Sequence, residues 1–154
     1  MEWLGALEQS YPAGLIKSSF YIYPLINAAH VIGIGGLFTC VVLMDLRLLG
    51  LFARVDKTTF MPLLRNVALV GFLLAVLSGA LMFSVRASEY VVMPLFWVKI
   101  GLIGTAGLNF LLFLTLQRRQ TPDQQRSPAM KASAVASILL WLGALLAGRF
   151  LGYV

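Results

Sequence analysis

The chain holds a single histidine, His30, and it lies within a long apolar run. Tyr23, Asn27 and His30 follow one another at i, i+4 and i+7, so a helix would place them on one face. Elsewhere, Lys99 sits just inside a second apolar run, and Arg149 and Tyr153 sit near the end of a third. Arg149 and Tyr153 are four apart and share a helical face. An imidazole is the commonest metal ligand at neutral pH, and with two cations beside it the group could form a pocket for an anionic or redox-active ligand. Ionisable groups inside a bilayer are costly, and function is the default hypothesis for them. Tyr23, Asn27, His30, Lys99 and Arg149 are therefore the candidate cofactor-binding residues, with His30 and Met82 as candidate metal ligands.

The elements that must position these residues are membrane helices. The 154 residues are 60% apolar and 12% charged, and the mean hydropathy is +0.88. A soluble domain of this length cannot hide that much apolar surface. The composition excludes a soluble enzyme, a nucleic-acid-binding domain and a disulfide-stapled secreted module. Cys40 is the only cysteine, so it has no intrachain partner. Four stretches are long enough to cross a bilayer, which needs about 20 residues. They lie near 21–44, 67–84, 95–116 and 133–153, with Pro62 as an earlier start for the second. Continuous apolar runs, rather than alternating ones, exclude a β-barrel. The expected fold is all-α, a polytopic four-helix bundle in one transmembrane domain, without linker or internal repeat. Pro24, Pro62, Pro94 and Pro128 stand near the helix entrances, where a missing N–H is tolerated.

The first 20 residues lack the positive start and early apolar run of a cleaved signal. Trp3, Leu4, Leu7 and Tyr11 instead predict a short amphipathic helix on the membrane surface.

Charge placement predicts orientation. Arg47, Arg54, Lys57 and Arg65 lie in the first loop, and Arg118, Arg119, Arg126 and Lys131 in the third. The N-terminal segment holds only Lys17 and the second loop only Arg86. Positive residues collect in cytoplasmic loops, so both termini are expected in the periplasm of a bacterial inner membrane. The polar Gln117–Pro128 stretch reads as a mobile cytoplasmic loop. On this topology His30 lies roughly 13 Å deep and Lys99 about 6 Å deep from the outer side, at the helical rise. All the candidate residues then share the outer half of the membrane.

Each of them also has a plainer reading. Lys99 and Arg149 can snorkel to headgroups, tyrosines and Trp97 can form an interfacial belt, and His30 can hydrogen-bond across helices. The ligand readings are haem b, a quinone or copper. His30 would supply one axial haem ligand while Lys99 and Arg149 neutralise the propionates. A second axial ligand would come from Met82 or a second subunit. Copper would use His30 with Met82 and Met93, since thioethers suit Cu(I). Cys40 is roughly 15 Å along the helix from His30, too far to join them. Small residues recur at four-residue spacing: Ala29 and Gly33, Gly36 and Cys40, Gly71, Ala75 and Gly79, Gly101, Thr105 and Asn109, Gly143 and Ala147, Ala144 and Gly148. Such stripes let helices approach closely in lipid. Asp45 and Arg47 are expected to pin the inner end of the first span, and Asn109 to bond between helices. No nucleotide-binding or protease motif is present, and a Ser-His-Asp triad fails because His30 and Asp45 lie on opposite sides of the midplane.

The run Tyr23-Pro24…His30-Val-Ile-Gly33, then Asp45-Leu-Arg47-Leu-Leu-Gly50 and Ala147-Gly148-Arg149…Tyr153, resembles a family of small bacterial integral-membrane proteins without an established activity. His30…Gly33…Gly36, Gly79 and Lys99…Asn109 also resemble the core pattern of the copper-resistance D-type membrane domain, itself similar in outline to b-type cytochrome bundles. That second resemblance implies periplasmic copper handling or haem binding, with His30 as ligand and Lys99 and Asn109 as polar positions in the bundle core. With one histidine, a bis-histidine haem within one chain is excluded. The expected function is a small redox or metal-handling membrane protein with haem b or a quinone near His30. The alternatives are a copper transport or delivery component and a non-catalytic scaffold subunit. The expected partners are the lipid bilayer, a homo-oligomer or larger membrane complex, and a periplasmic redox or copper partner.

Overall fold

The computed structural model describes residues 2–119 and 127–153, the side chains of 117–119 excepted. Arg118, Arg119 and Arg126, with most of the expected third loop, therefore lie outside what the side chains describe. Two short helices, α1 (Glu2–Glu8) and α2 (Tyr11–Ser18), precede α3 (Ile22–Leu49) and α4 (Lys57–Val85). A short α5 (Ala87–Val92) leads to α6 (Pro94–Arg119), and α7 (Pro128–Phe150) completes the chain. No strand occurs among the described residues. α3, α4, α6 and α7 are each long and apolar enough to span a bilayer, and the protein is an all-α membrane helical bundle. Lipid explains the surface, where Val70 and Leu77 are each 65% exposed and Leu108 68%.

Local chemistry sets the helix ends. Gly50 takes φ 109° and stops α3, with its N–H on the Arg47 carbonyl and the Leu51 N–H on that of Leu46. A left-handed residue closing a helix in this way suits glycine, which has no Cβ to clash. α4 begins at Lys57, well before the expected 67, because the Asp56 carboxylate caps the N–H groups of Thr58 and Thr59. Pro62 therefore lies inside α4 rather than at its entrance. Pro94 and Pro128 do open their helices.

The N-terminal segment differs from the expected single helix. It forms two, which pack onto α5 and the neighbouring ends of α3 and α4 and bury Leu4, Ala13 and Ile16. Trp3 and Tyr11, expected on one face with Leu4, are exposed. Glu8 fixes this cap. Its carboxylate accepts from the Ser88 N–H at 2.8 Å and the Ser88 hydroxyl at 2.6 Å, and these bonds hold its pKa below the ordinary value.

The long helices stand in the spatial order α4, α3, α7, α6. The α3–α4 crossing is the tightest. A Cβ on Gly33 would lie 2.8 Å from the Ala75 nitrogen, and one on Gly71 2.8 Å from the Gly33 oxygen. Here the expected small-residue stripes meet backbone to backbone, as close packing in lipid favours. The Gly101–Thr105 stripe does not pack: both residues are exposed, and a Cβ on Gly101 meets open space. Asn109, on the same stripe, does join α6 to α7. Its amide donates to the Ser133 carbonyl, and the Ser133 hydroxyl donates back to its oxygen, each at 3.0 Å.

Candidate functional site

His30 takes its orientation from the α3–α4 crossing. Its Nδ1 lies 2.9 Å from the Ala75 carbonyl oxygen and 3.0 Å from the Ser78 hydroxyl. A carbonyl oxygen can only accept, so Nδ1 carries the proton. Ser78 agrees, since its own hydroxyl proton goes to the Leu74 carbonyl and leaves its oxygen to accept. The Nε2 lone pair is then the free end of a neutral ring. Gly79 makes the space, as a Cβ there would lie 3.0 Å from His30 Cε1.

The imidazole stands where two chambers meet. The inner one, of about 350 Å³, is lined by all four long helices, with Phe38, Phe72, Ile103 and Trp141 among its walls. The outer one, of about 700 Å³, lies toward the end that carries both termini and is lined by Tyr23, Asn27, Met82, Tyr90, Gly148 and Arg149. His30, Gly79, Phe83, Phe96 and Lys99 border both. The residues singled out by sequence (Tyr23, Asn27, His30, Met82, Lys99 and Arg149) thus line one continuous cavity. Met93 and Cys40 do not. Cys40 is buried with Leu37, Leu64 and Ala68 in an apolar cluster.

The two cations differ. The Lys99 side chain runs along Gly148, where a Cβ would lie 3.4 Å from Nζ. Among the described residues no carboxylate pairs with either cation; Glu89 pairs instead with Arg86 at 3.5 Å. Arg149 turns to Tyr153, donating to its hydroxyl at 2.7 Å with the guanidinium carbon 4.8 Å from the ring centre.

Aromatic side chains close the outer wall, and sequence reading did not identify them. Phe83 stacks on Phe96 at 5.4 Å between ring centres and on Tyr90 at 6.3 Å. Tyr90 faces Tyr23, and burial together with that tyrosine pushes its pKa up. The chain spacing between α4, α5 and α6 gives no hint of this cluster. Ser78 is not among the sequence candidates, although a serine within an otherwise apolar span is a legible signal.

The second polar group meets expectation in part. Arg47 donates to the Val55 carbonyl at 2.9 Å and so pins the end of α3 to the loop, as expected. Asp45 instead turns into the bundle toward Ser137 of α7, leaving Oδ2 without a partner.

A free, neutral imidazole nitrogen beside apolar walls can ligate a metal or accept a hydrogen bond. A histidine whose other nitrogen donates to a backbone carbonyl is the usual arrangement behind a metal ligand, so His30 fits one axial position of haem. Copper would have fewer donors. No group of three His, Cys, Asp or Glu residues comes together among the described residues, leaving His30 and the Met82 thioether. Comparison with known protein families, characterised proteins and solved structures finds no match.

Proposed function

We propose that this chain is a small redox protein of the bacterial inner membrane that holds a flat, amphipathic redox ligand, haem b or a quinone, against His30. The observation that carries this reading is the free Nε2 of His30 at the junction of an apolar chamber and a cation-bearing one. Helix bundles commonly build cofactor sites of this kind between facing helices. In this reading the termini and the outer chamber face the periplasm, as the loop charges imply. His30 holds or accepts from the ligand, Lys99 and Arg149 offset negative charge on its oxygens, and Phe83 and Phe96 exclude water from its plane. Bound there, haem b supplies one-electron chemistry and a quinone supplies coupled electron and proton transfer.

The test is purification in mild detergent followed by a visible spectrum, metal analysis and organic extraction. A Soret band, or a stoichiometric extracted quinone, that is lost in folded His30→Ala protein is the expected result. Copper at one per chain without either, reduced in His30→Ala and Met82→Ala, would move the assignment to copper delivery, the reading favoured by Met82 lining the same chamber as His30. A colourless, metal-free and quinone-free protein would leave only a scaffold role.

A further inference from the structure

We infer that the ligand is a tailed quinone that enters sideways from the bilayer, through a slit between α4 and α6. This rests on the redox reading above and adds the substrate class and its route.

The slit follows from helix packing. All four long helices line the inner chamber. Yet α3 packs on α4 and α7, and α7 on α6, whereas no comparable backbone approach joins α4 to α6. The ring of helices is open along one edge. At its outer end the stacked Phe83 and Phe96 bridge that edge. Deeper, Val76 and Ile100 line the chamber while remaining 49% and 45% exposed. A side chain that lines a cavity and also faces lipid marks an opening between the two. The chamber is at the lower end of the size range for small-ligand sites. It can take a ring and the start of a chain, and the slit lets the remainder lie in the hydrocarbon.

The head of the site selects a ring bearing oxygens. His30 Nε2 accepts, and Lys99 Nζ is a donor with no hydrogen-bond partner among the described residues. A quinol hydroxyl and a quinone carbonyl match that acceptor and donor. The phosphate of an anionic phospholipid would draw on both cations, Lys99 and the Arg149 guanidinium that also donates to Tyr153, whereas a quinone needs only the His30 acceptor and the Lys99 donor. A tightly held haem would not need an opening to lipid.

The experiment uses the full chain in nanodiscs and a decyl-tailed benzoquinone as the probe. Quenching of Trp141, which lines the inner chamber, is followed by stopped flow, with Trp141→Phe reporting the background from Trp3 and Trp97. Saturable quenching is expected. The double variant Val76→Phe, Ile100→Phe should slow its onset by about tenfold, the scale on which access steps alter association rates. Leu77→Phe, on lipid-facing α4 surface, should leave the rate unchanged and shows that an added ring is tolerated. Lys99→Gln should weaken binding at equilibrium without slowing entry. Saturable quenching at an unaltered rate in the slit variant would overturn lateral entry and leave the site standing. A Soret band in the purified protein would overturn the quinone while leaving the redox reading intact. Displacement of the probe by equimolar phosphatidylglycerol would reassign the site to a phospholipid. Absence of saturable quenching from a colourless wild-type protein would overturn both proposals.

Discussion

The Nδ1 atom of His30 lies 2.9 Å from the carbonyl oxygen of Ala75, a residue on the neighbouring helix. That bond exists because Gly33 and Gly71 let α3 and α4 touch backbone to backbone nearby. It assigns the imidazole proton to Nδ1 and leaves Nε2 as the basic nitrogen, bordering both chambers.

The tautomer can be read directly. His30 is the only histidine, so ¹⁵N-histidine labelling gives a single ring spin system. Solid-state NMR at neutral pH in ligand-free protein should show a protonated Nδ1 and an unprotonated Nε2. The reverse pattern would mean that the ring is not anchored to Ala75.

Substitution at the α3–α4 crossing should be costly. A Cβ on Gly71 would lie 2.8 Å from the Leu37 nitrogen as well as from the Gly33 oxygen, and backbone cannot step aside as a flexible side chain can. Gly71→Ala should destabilise by about 1–3 kcal/mol, the range for overpacking. Gly101→Ala, which meets open space, should be neutral or slightly stabilising. Denaturant titration in mixed micelles measures both.

The reciprocal Asn109–Ser133 bonds tie α6 to α7. A double-mutant cycle with Asn109→Ala and Ser133→Ala should give a coupling energy of about 0.6 kcal/mol, the average for side-chain hydrogen bonds in membrane bundles. A coupling indistinguishable from zero would mean that apolar packing alone joins the two helices.

Asp56 should make stability fall in acid. Its hydrogen bonds to Thr58 and Thr59 lower its pKa from 3.8 to about 2. A depressed carboxylate contributes fully above its unfolded value and loses that contribution as pH falls through the folded one. The contribution should therefore fade between roughly pH 4 and pH 2. Asp56→Asn keeps a capping side chain but removes the charge, so its unfolding profile should be flatter across that window. An equal slope in both proteins would show that another group governs it.

Orientation is open to a simple check. Reporter fusions at both termini should score periplasmic, as the excess of Lys and Arg in the first and third loops implies. A cytoplasmic C-terminus would place the cation-bearing chamber on the other face and remove the periplasmic reading.

Much of the architecture was legible from sequence because lipid is a demanding solvent. A backbone in hydrocarbon must satisfy its own hydrogen bonds, so four long apolar runs could only become four helices. Helical periodicity put Tyr23, Asn27 and His30 on one face, and the hairpin order of the spans put Lys99, Arg149 and Met82 at the same end. Those six do line one cavity. What sequence left undecided depended on the distance between helices and on side-chain direction. Nothing local joins His30 to Ala75 and Ser78, or sends Asp45 to Ser137 rather than Arg47. The small-residue stripes looked alike, yet Gly71 meets a neighbouring backbone whereas Gly101 meets open space, because which face meets a partner is settled only when all the helices pack together. The same packing leaves α4 and α6 without the close backbone approach that joins α3 to α4. Apolar lipid and apolar protein attract a leucine almost equally, so composition cannot say which helix edges close and which remain open.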